Sequence, residues 1–409
     1  MGSSTTAGAQ TDVEQAVMPT YARYPVTLVR GAGTRVWDED GGEYLDFAGS
    51  LGVTAIGHSH PTWVRAVKEQ LDELDMVSNL YNTRPHAALA SKLASLLPIP
   101  HAQVFFANSG AEANEAAIKL ARKHGLAAGR PTIVSLEGSF HGRTVGALAA
   151  TGQPSKRSMF EPLVDWFRFV PAGDVAALDA SLTPDVAALL LEPVMGEGGI
   201  HPLDGAYLRA ARTLCDERGV LLVADEVQSG MGRCGDWLAI SDSGVVPDLV
   251  TLAKALGGGL PIGALVAPAS LAFGPGEHAT TFGGGPVVCA GSLAVLDVIE
   301  QEGLLGRARS IGALLPEAVM AEVPPGTIVE ARGRGCLWGF ELWAPVADEV
   351  VRAMLDEGVL ASVAGADVVR YSPPLIATDE DIEMAATALG VAIDRVVGAG
   401  AADGGGAPR

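Results

Sequence analysis

Apolar and polar positions follow three successive patterns along the chain. Between 26 and 47 (VTLVRGAGTRVWDEDGGEYLDF) they alternate around Gly31, Gly33 and Asp40-Gly41-Gly42. A period of two broken by turn residues predicts a β-meander. LGVTAIGHSHP (51–61) reads as a loop ending at Pro61, and Trp63, Val64, Val67 and Leu71 then recur at helical spacing, predicting a helix over 62–75 and another over 86–97. From 102 onward short apolar runs alternate with longer amphipathic stretches. The runs predict strands at 103–107, 132–136, 187–191, 220–224, 249–252 and 262–267, and the stretches predict helices at 111–124, 204–218 and 288–302. Strands separated by helices imply βαβ units and a mainly parallel sheet, an α/β fold with helices on both faces. After 303 the pattern changes to helices at 306–322 and 346–357 around a strand near 335–342, with short strands over 359–371. This predicts a small α+β domain.

The expected organisation is an N-terminal arm and small-domain segment over 1–57, a large domain over 58–290, a small domain over 291–397, and a disordered tail over 398–409 (GAGAADGGGAPR). Composition narrows the partners. The net charge of −20 argues against nucleic acid and anionic membranes. No apolar run is long enough for a membrane span, and the first residues lack a basic and apolar leader, so no export is expected. Cys215, Cys234, Cys289 and Cys336 are scattered without a CxxC pair, which fits reduced thiols in a cytoplasmic protein. Of 28 basic residues only six are lysines, which leaves few candidates for imine chemistry.

Candidate chemistry clusters at the predicted strand ends. Asp225 closes the run Val220–Ala224, and Lys254 follows the run Leu249–Ala253 ahead of Gly257–Gly259. Charged groups at the carboxyl ends of buried strands need partners, and in open α/β sheets that rim binds ligands. An acid beside an amine suits a ligand with a cationic ring nitrogen and a carbonyl carbon, although a buried ion pair has the same signature. Asn108-Ser109-Gly110-Ala111 precedes a helix and reads as a phosphate cradle or a plain serine N-cap. Phe140-His141-Gly142-Arg143 offers a stacking ring and a carboxylate-binding cation, or a core Phe and a surface Arg. Glu192 and Glu197 flank the EPVMGEGG turn; Val227 and Gln228 follow Asp225. Thr281 lies in the glycine-rich TTFGGGP stretch, and Arg370 sits on a short strand before Pro373-Pro374.

Together these stretches resemble the class III (subgroup III) pyridoxal-phosphate aminotransferases, with acetylornithine and ornithine aminotransferases as the nearest types. The resemblance rests on VWDEDGGEYLDFAGSLGVTAIGHSHP, SNLYNTRPHAALA, FFANSGAEANEAAIKLAR, SFHGRT, EPVMGEGG, LLVADEVQSGMGR, LAKALGGGLPIGA and RGRGCLWGFEL, spread over roughly 26–375. It implies the fold-type-I transferase architecture and pyridoxal 5′-phosphate as cofactor. Lys254 would form the imine and Asp225 would pair the ring nitrogen. Ser109, Gly110 and Ala111 would bind the phosphate, Phe140 and Val227 would sandwich the ring, and Gln228 would touch its oxygen. His141 and Glu192 would border the same ring. Thr281 would reach a neighbouring subunit's cofactor, implying a homodimer with shared sites. Arg143 would hold the donor's remote carboxylate. Arg370 would hold the α-carboxylate of glutamate or 2-oxoglutarate, with Glu197 masking it in the other half-reaction. Leu51, where ornithine-type enzymes resembling this stretch carry tyrosine, favours an acylated amine.

Three positions depart from the usual pattern: Phe282 and Gly285 in TFGGGP instead of TYGGNP, and Thr54 where asparagine is frequent. The resulting expectation is transfer of the terminal amino group of an N-acylated diamino acid, N2-acetylornithine first, to 2-oxoglutarate. Ornithine, 4-aminobutyrate or another ω-amine is the alternative donor. A pyridoxal-phosphate aminomutase would share the cofactor residues but would not need the Arg370–Glu197 pair.

Overall fold

The computed structural model describes residues 16–402, so most of the expected N-terminal arm lies outside the described residues. The predicted meander is present as β1 (Leu28–Ala32), β2 (Arg35–Asp38) and β3 (Glu43–Asp46), all antiparallel. Helices Pro61–Glu73 and Arg84–Leu96 follow, each with proline in its first turn, where a missing N–H costs nothing.

The central sheet has seven strands. They are β4 (Ala102–Ala107), β5 (Thr132–Leu136), β6 (Phe167–Val170), β7 (Val186–Leu191) and, after a small hairpin of β8 (Val194–Met195) and β9 (His201–Pro202), β10 (Leu221–Asp225), β11 (Leu249–Leu252) and β12 (Gly263–Pro268). Their order is β4-β12-β11-β10-β7-β5-β6. β7 is buried along its whole length, as a central strand covered by helices on both faces must be. β12 runs antiparallel to both β11 and β4, whereas β10, β11, β7, β5 and β6 pair in parallel. Two reversals cancel, so β4 points the same way as the parallel strands. The carboxyl ends of β4, β5, β7, β10 and β11 therefore meet at one edge of the sheet.

A second sheet, of four strands, lies beyond helices Pro286–Gln301 and Leu304–Glu322. The single strand expected near 335–342 is a hairpin: β13 (Ile328–Arg334) turns at Gly335 into β14 (Leu337–Leu342). β13 escaped the pattern because three of the seven residues in IVEARGR are charged and only Ile328 and Arg332 are buried. After helix Ala347–Asp356, β15 (Val359–Leu360) pairs in parallel with β3, tying the chain's end to its beginning. β16 (Ser362–Val363) and β17 (Val368–Tyr371) complete the second sheet.

Two expectations need correction. The tail is not irregular from 398, because the last helix, Asp379–Ala402, continues past Val397; the residues after it lie outside the described residues. The loop predicted over 51–61 also begins inside a helical turn of the wrong hand, Gly49–Gly52. Gly49, Ser50, Leu51 and Gly52 all have positive φ (54°, 48°, 61° and 94°). Each non-glycine residue there costs about 1–2 kcal/mol, so the turn needs outside anchors. Asp46 Oδ1 accepts from Gly49 N at 2.8 Å while its Oδ2 meets His58 Nε2 at 2.7 Å. Glycine is required at 49, since a Cβ there would lie 2.0 Å from the Ser372 carbonyl oxygen. No helix among the described residues is long and apolar enough to cross a membrane.

Candidate active site

The converging strand ends enclose a cavity of about 480 Å³. Ser109, Gly110 and Ala111 enter it from β4, Phe140, His141 and Arg143 from β5, Glu192 and Glu197 from β7, Asp225, Val227 and Gln228 from β10, and Lys254 from β11. Leu260 to Ile262, at the start of the reversed strand β12, close one side.

Asp225 is 3% exposed, and both of its oxygens are engaged. Oδ2 accepts from Asn114 Nδ2 at 2.7 Å and faces His141 Nδ1 at 2.7 Å; Oδ1 accepts from Val227 N at 3.1 Å and Thr251 Oγ1 at 3.4 Å. Asn114 also donates to the His141 carbonyl at 2.7 Å and accepts from Thr251 Oγ1 at 2.7 Å. His141 Nε2 stands 3.3 Å from Ser135 Oγ on β5. The carboxylate is thus fixed by helix Gly110–Ala127, β5 and β11 at once. Sequence reading missed Asn114 and Thr251. The signal was partial: Thr251 is a polar residue on an otherwise apolar, buried strand, but Asn114 lies on a helix with many charged residues.

Lys254, with φ 44°, borders the cavity at the turn after β11. Burial lowers its ammonium to about 8, Arg370 pushes the same way, and Glu197, Glu192 and Asp225 oppose. Burial also pushes the Glu192 carboxyl up to about 7, against the pull of His141. Glu192 accepts from Phe140 N at 2.7 Å and Gly196 N at 3.2 Å, so it fastens the ring-bearing loop to the β7 turn.

At the helix end, Ser109 Oγ accepts from Glu112 N at 3.2 Å, and Glu112 reaches back to Asn108 N at 2.8 Å. The serine is a genuine N-cap, and the first-turn amides at Gly110 and Ala111 remain available to an anion. A Cβ on Gly110 would come within 2.6 Å of Val227 Cγ1, so only glycine lets these two walls close on each other.

At the β7 turn, Arg370 is 2% exposed and reaches across from β17. Its Nη1 meets Glu197 Oε1 at 2.5 Å and the Gly196 carbonyl at 3.1 Å, and its Nε donates to Ser362 Oγ at 3.1 Å. Burial alone would raise Glu197, but the guanidinium outweighs it and holds the carboxyl below its usual value. Arg143 is exposed, and its guanidinium lies over the Phe140 ring, 5.5 Å from the centroid.

Two predicted site residues lie elsewhere. Thr281 is exposed and outside this cavity. Leu51, 40% exposed, lines an adjoining pocket, although its carbonyl accepts from Gln228 Nε2 at 3.1 Å. Sequence reading also missed Arg233, which is fully buried. It donates to the carbonyls of Gly52 (3.3 Å), Cys336 (3.2 Å) and Pro373. It therefore joins the loop after β10, the left-handed turn and the end of the Arg370 strand.

The class-III aminotransferase family model matches residues 17–393. Acetylornithine aminotransferase from Thermosynechococcus vestitus is 46% identical over 93% of this chain and 95% of its own length. The protein of that name from Mycolicibacterium smegmatis is 47% identical over 93% and 97%. Among solved structures, ornithine aminotransferase from Toxoplasma gondii superposes with a TM-score of 0.91 at 31% identity, covering 96% of each chain. Acetylornithine aminotransferase from Elizabethkingia anophelis gives 0.84 at 30%, covering 96% of this chain and all of that one. The chain belongs to the class-III aminotransferases and has their fold-type-I architecture. It is a pyridoxal-phosphate-dependent transaminase.

The residues present fit that cofactor. Free amides at a helix N-terminus suit its phosphate, a buried anchored carboxylate suits its ring nitrogen, and a buried amine of lowered basicity suits its aldehyde. Gln228 Oε1 is a buried polar atom without a partner, as expected of a group that faces a polar ligand.

Proposed function

We propose that this enzyme moves the terminal amino group of an N-acylated diamino acid, N2-acetylornithine first, to 2-oxoglutarate, giving glutamate and a semialdehyde. The observation that carries this reading is the near-full-length identity to proteins named acetylornithine aminotransferase. The high structural likeness to ornithine aminotransferases favours ornithine as the alternative donor. Spectroscopic half-reactions with N2-acetylornithine, ornithine and 4-aminobutyrate test it: N2-acetylornithine should react fastest, and a faster reaction with ornithine would overturn the assignment.

Each site residue has a task in this reading. Pyridoxal phosphate, when bound, supplies an aldehyde that captures amines and a ring that withdraws electrons from the attached carbon. Ser109, Gly110 and Ala111 would hold its phosphate, Phe140 and Val227 would flank its ring, and Gln228 would meet its ring oxygen. Asp225, fixed by Asn114, Thr251 and His141, keeps the ring nitrogen protonated. Lys254 would hold the cofactor through its amine and would serve as the base that moves a proton at the donor carbon. Its basicity near 8 leaves a usable neutral fraction at pH 7.

Arg143 binds the donor's remote carboxylate. Arg370 binds the α-carboxylate of glutamate or 2-oxoglutarate. When the ω-amine donor occupies the site, Glu197 neutralises Arg370, whose buried charge would otherwise be unpaired. The sites are shared in a homodimer. This is supported by one exposed patch: Asn79 Nδ2 donates to the Thr280 and Gly283 carbonyls, and Leu80, Tyr81 and Phe282 around it are 88%, 69% and 66% exposed. Asn108 Nδ2, beside the helix N-terminus, reaches Thr280 Oγ1 at 3.3 Å, so the patch adjoins the phosphate end of the cavity. Thr281 of a second copy completes that end. The soluble reaction partners and the acidic surface suit a cytoplasmic enzyme.

A further inference from the structure

Glu197 sits on a turn under strain. The turn joins β8 to β9 and runs from Gly196 to Ile200. Gly199 has φ 104° and Ile200 has φ 57°, a left-handed conformation that a β-branched residue rarely takes. Such strain persists only where the surroundings over-determine it, and two fasteners do so here. The first is apolar. Ile200 is fully buried in a cluster with Leu337 of β14 and with Val368 of β17, the strand that carries Arg370. Gly339 leaves it room, since a Cβ there would lie 2.9 Å from Ile200 Cβ. The second is polar. Arg332 on β13 is 8% exposed and donates from Nε to the Gly199 carbonyl at 2.8 Å. Its Nη1 meets Glu330 Oε2 at 2.8 Å and Glu341 Oε2 at 2.5 Å. The turn has no slack on its other faces. A Cβ on Gly196 would come within 1.3 Å of Gln228 Oε1, and one on Gly198 within 2.4 Å of the Gly138 carbonyl oxygen. Arg332 itself lies outside the active-site cavity, behind the turn.

We propose that Arg332 is a positioning residue for the two-substrate switch: gripped by Glu330 and Glu341, it holds the strained turn in the shape that presents Glu197 to Arg370. The inference rests on the Arg370–Glu197 reading above. Arg332 touches no substrate and acts through the Gly199 carbonyl. Without that bond Ile200 is free to leave the left-handed region, and the turn carries the Glu197 carboxylate away from its 2.5 Å contact with Arg370. Arg370 then lacks a counter-charge whenever an ω-amine donor is bound, which leaves a buried cation unpaired. The α-carboxylate of 2-oxoglutarate, in contrast, meets one competitor fewer. Loosening the turn therefore harms one half-reaction and spares or helps the other, a pattern that a general loss of folding does not produce.

The test uses the holoenzyme and compares Arg332→Gln, Glu197→Gln and the double variant, with whichever ω-amine donor reacts fastest and with 2-oxoglutarate. In Arg332→Gln the KM for the donor should rise about tenfold, the worth of a hydrogen bond from a charged group. The KM for 2-oxoglutarate should stay level or fall, and the absorbance of lysine-bound cofactor should not change. The double variant should be no worse than Glu197→Gln alone, because both substitutions remove the same contact. If Arg332→Gln folds poorly by circular dichroism, Glu341→Gln loosens the grip from the partly exposed side and should shift the donor KM in the same direction by about two- to threefold. Equal rises in both KM values, or a double variant worse than Glu197→Gln by the full Arg332→Gln factor, overturns the positioning role while leaving the switch standing. A Glu197→Gln variant that fails to separate the two substrates overturns the switch and the role of Arg332 together.

Discussion

The two ends of the active-site cavity are built differently. At the floor, every oxygen of Asp225 and Glu192 has a protein donor, and those donors come from a helix and from the turns after β5, β8 and β10. At the rim, Arg143 has only a ring beneath it, Leu51 is 40% exposed and Thr281 is on the surface. The floor is preorganised before anything binds, which suits a cofactor that never changes. Such a loose rim is what the proposed exchange of two differently charged substrates and the proposed second subunit at Thr281 would require. Chemistry common to both half-reactions should therefore depend on the floor, and discrimination between them on the rim.

Substitutions at the floor should strike both half-reactions equally. Lys254→Ala should lower turnover at least about a thousandfold with every substrate and abolish the near-visible absorbance of lysine-bound cofactor. Retention of that absorbance would break the contrast at its root. Asp225→Asn should follow, costing about a hundredfold or more in both directions through loss of the charge that keeps the ring nitrogen protonated. A loss confined to one substrate would contradict a purely floor-level role.

Rim substitutions should split the substrates. Arg370→Ala should raise KM for 2-oxoglutarate by roughly ten- to a hundredfold, the worth of a charge-assisted pair, and spare the N-acyl donor. Arg143→Ala should damage both. Glu197→Gln should do the reverse of Arg370→Ala, weakening the ω-amine half-reaction more than the glutamate one. Equal losses for all substrates would remove the switch.

The smallest effect concerns stability. Lys254 titrates near 8 in the folded chain and at its ordinary 10.5 when unfolded. Between those values the unfolded chain holds more protons, so this group makes stability rise with pH from about 8 to 10.5 and penalises the fold below 8. Lys254→Met should therefore stabilise the cofactor-free protein at pH 7, by about 2 kcal/mol after allowing for water in the cavity, with the gain fading above pH 8. Equal denaturant midpoints at pH 7 and pH 10 for the difference between variant and wild type would refute the depressed basicity.

The same contrast explains what was legible in the sequence. Floor residues sit at the ends of short, continuous apolar runs, so Asp225, Glu192 and Lys254 stood out as charges where the pattern forbids them. The reversal of β12 left no mark, because a buried strand reads the same in either direction. β13 was hidden by its charges. Asn114, Thr251 and Arg233 were missed because their partners are distant in sequence and are brought together only by the fold. The left-handed turn was equally silent, since Ser50 and Leu51 carry no signal for positive φ and are held by Asp46, Gln228 and Arg233 from outside.

Arg233 has a consequence for traffic through the site. Burial pushes its guanidinium down, and it binds carbonyls of the left-handed turn, of the β13–β14 hairpin and of the segment after β17. Pulling any of these away would leave a desolvated cation with fewer acceptors. The two sheets are thereby riveted together beside the cavity, and wholesale hinge opening becomes an expensive way to admit substrate. On the proposed switch, exchange would run through small parts: the Glu197 side chain swinging off Arg370, and the exposed arm of Arg143 reaching outward. The enzyme works with a stiff frame and a moving latch.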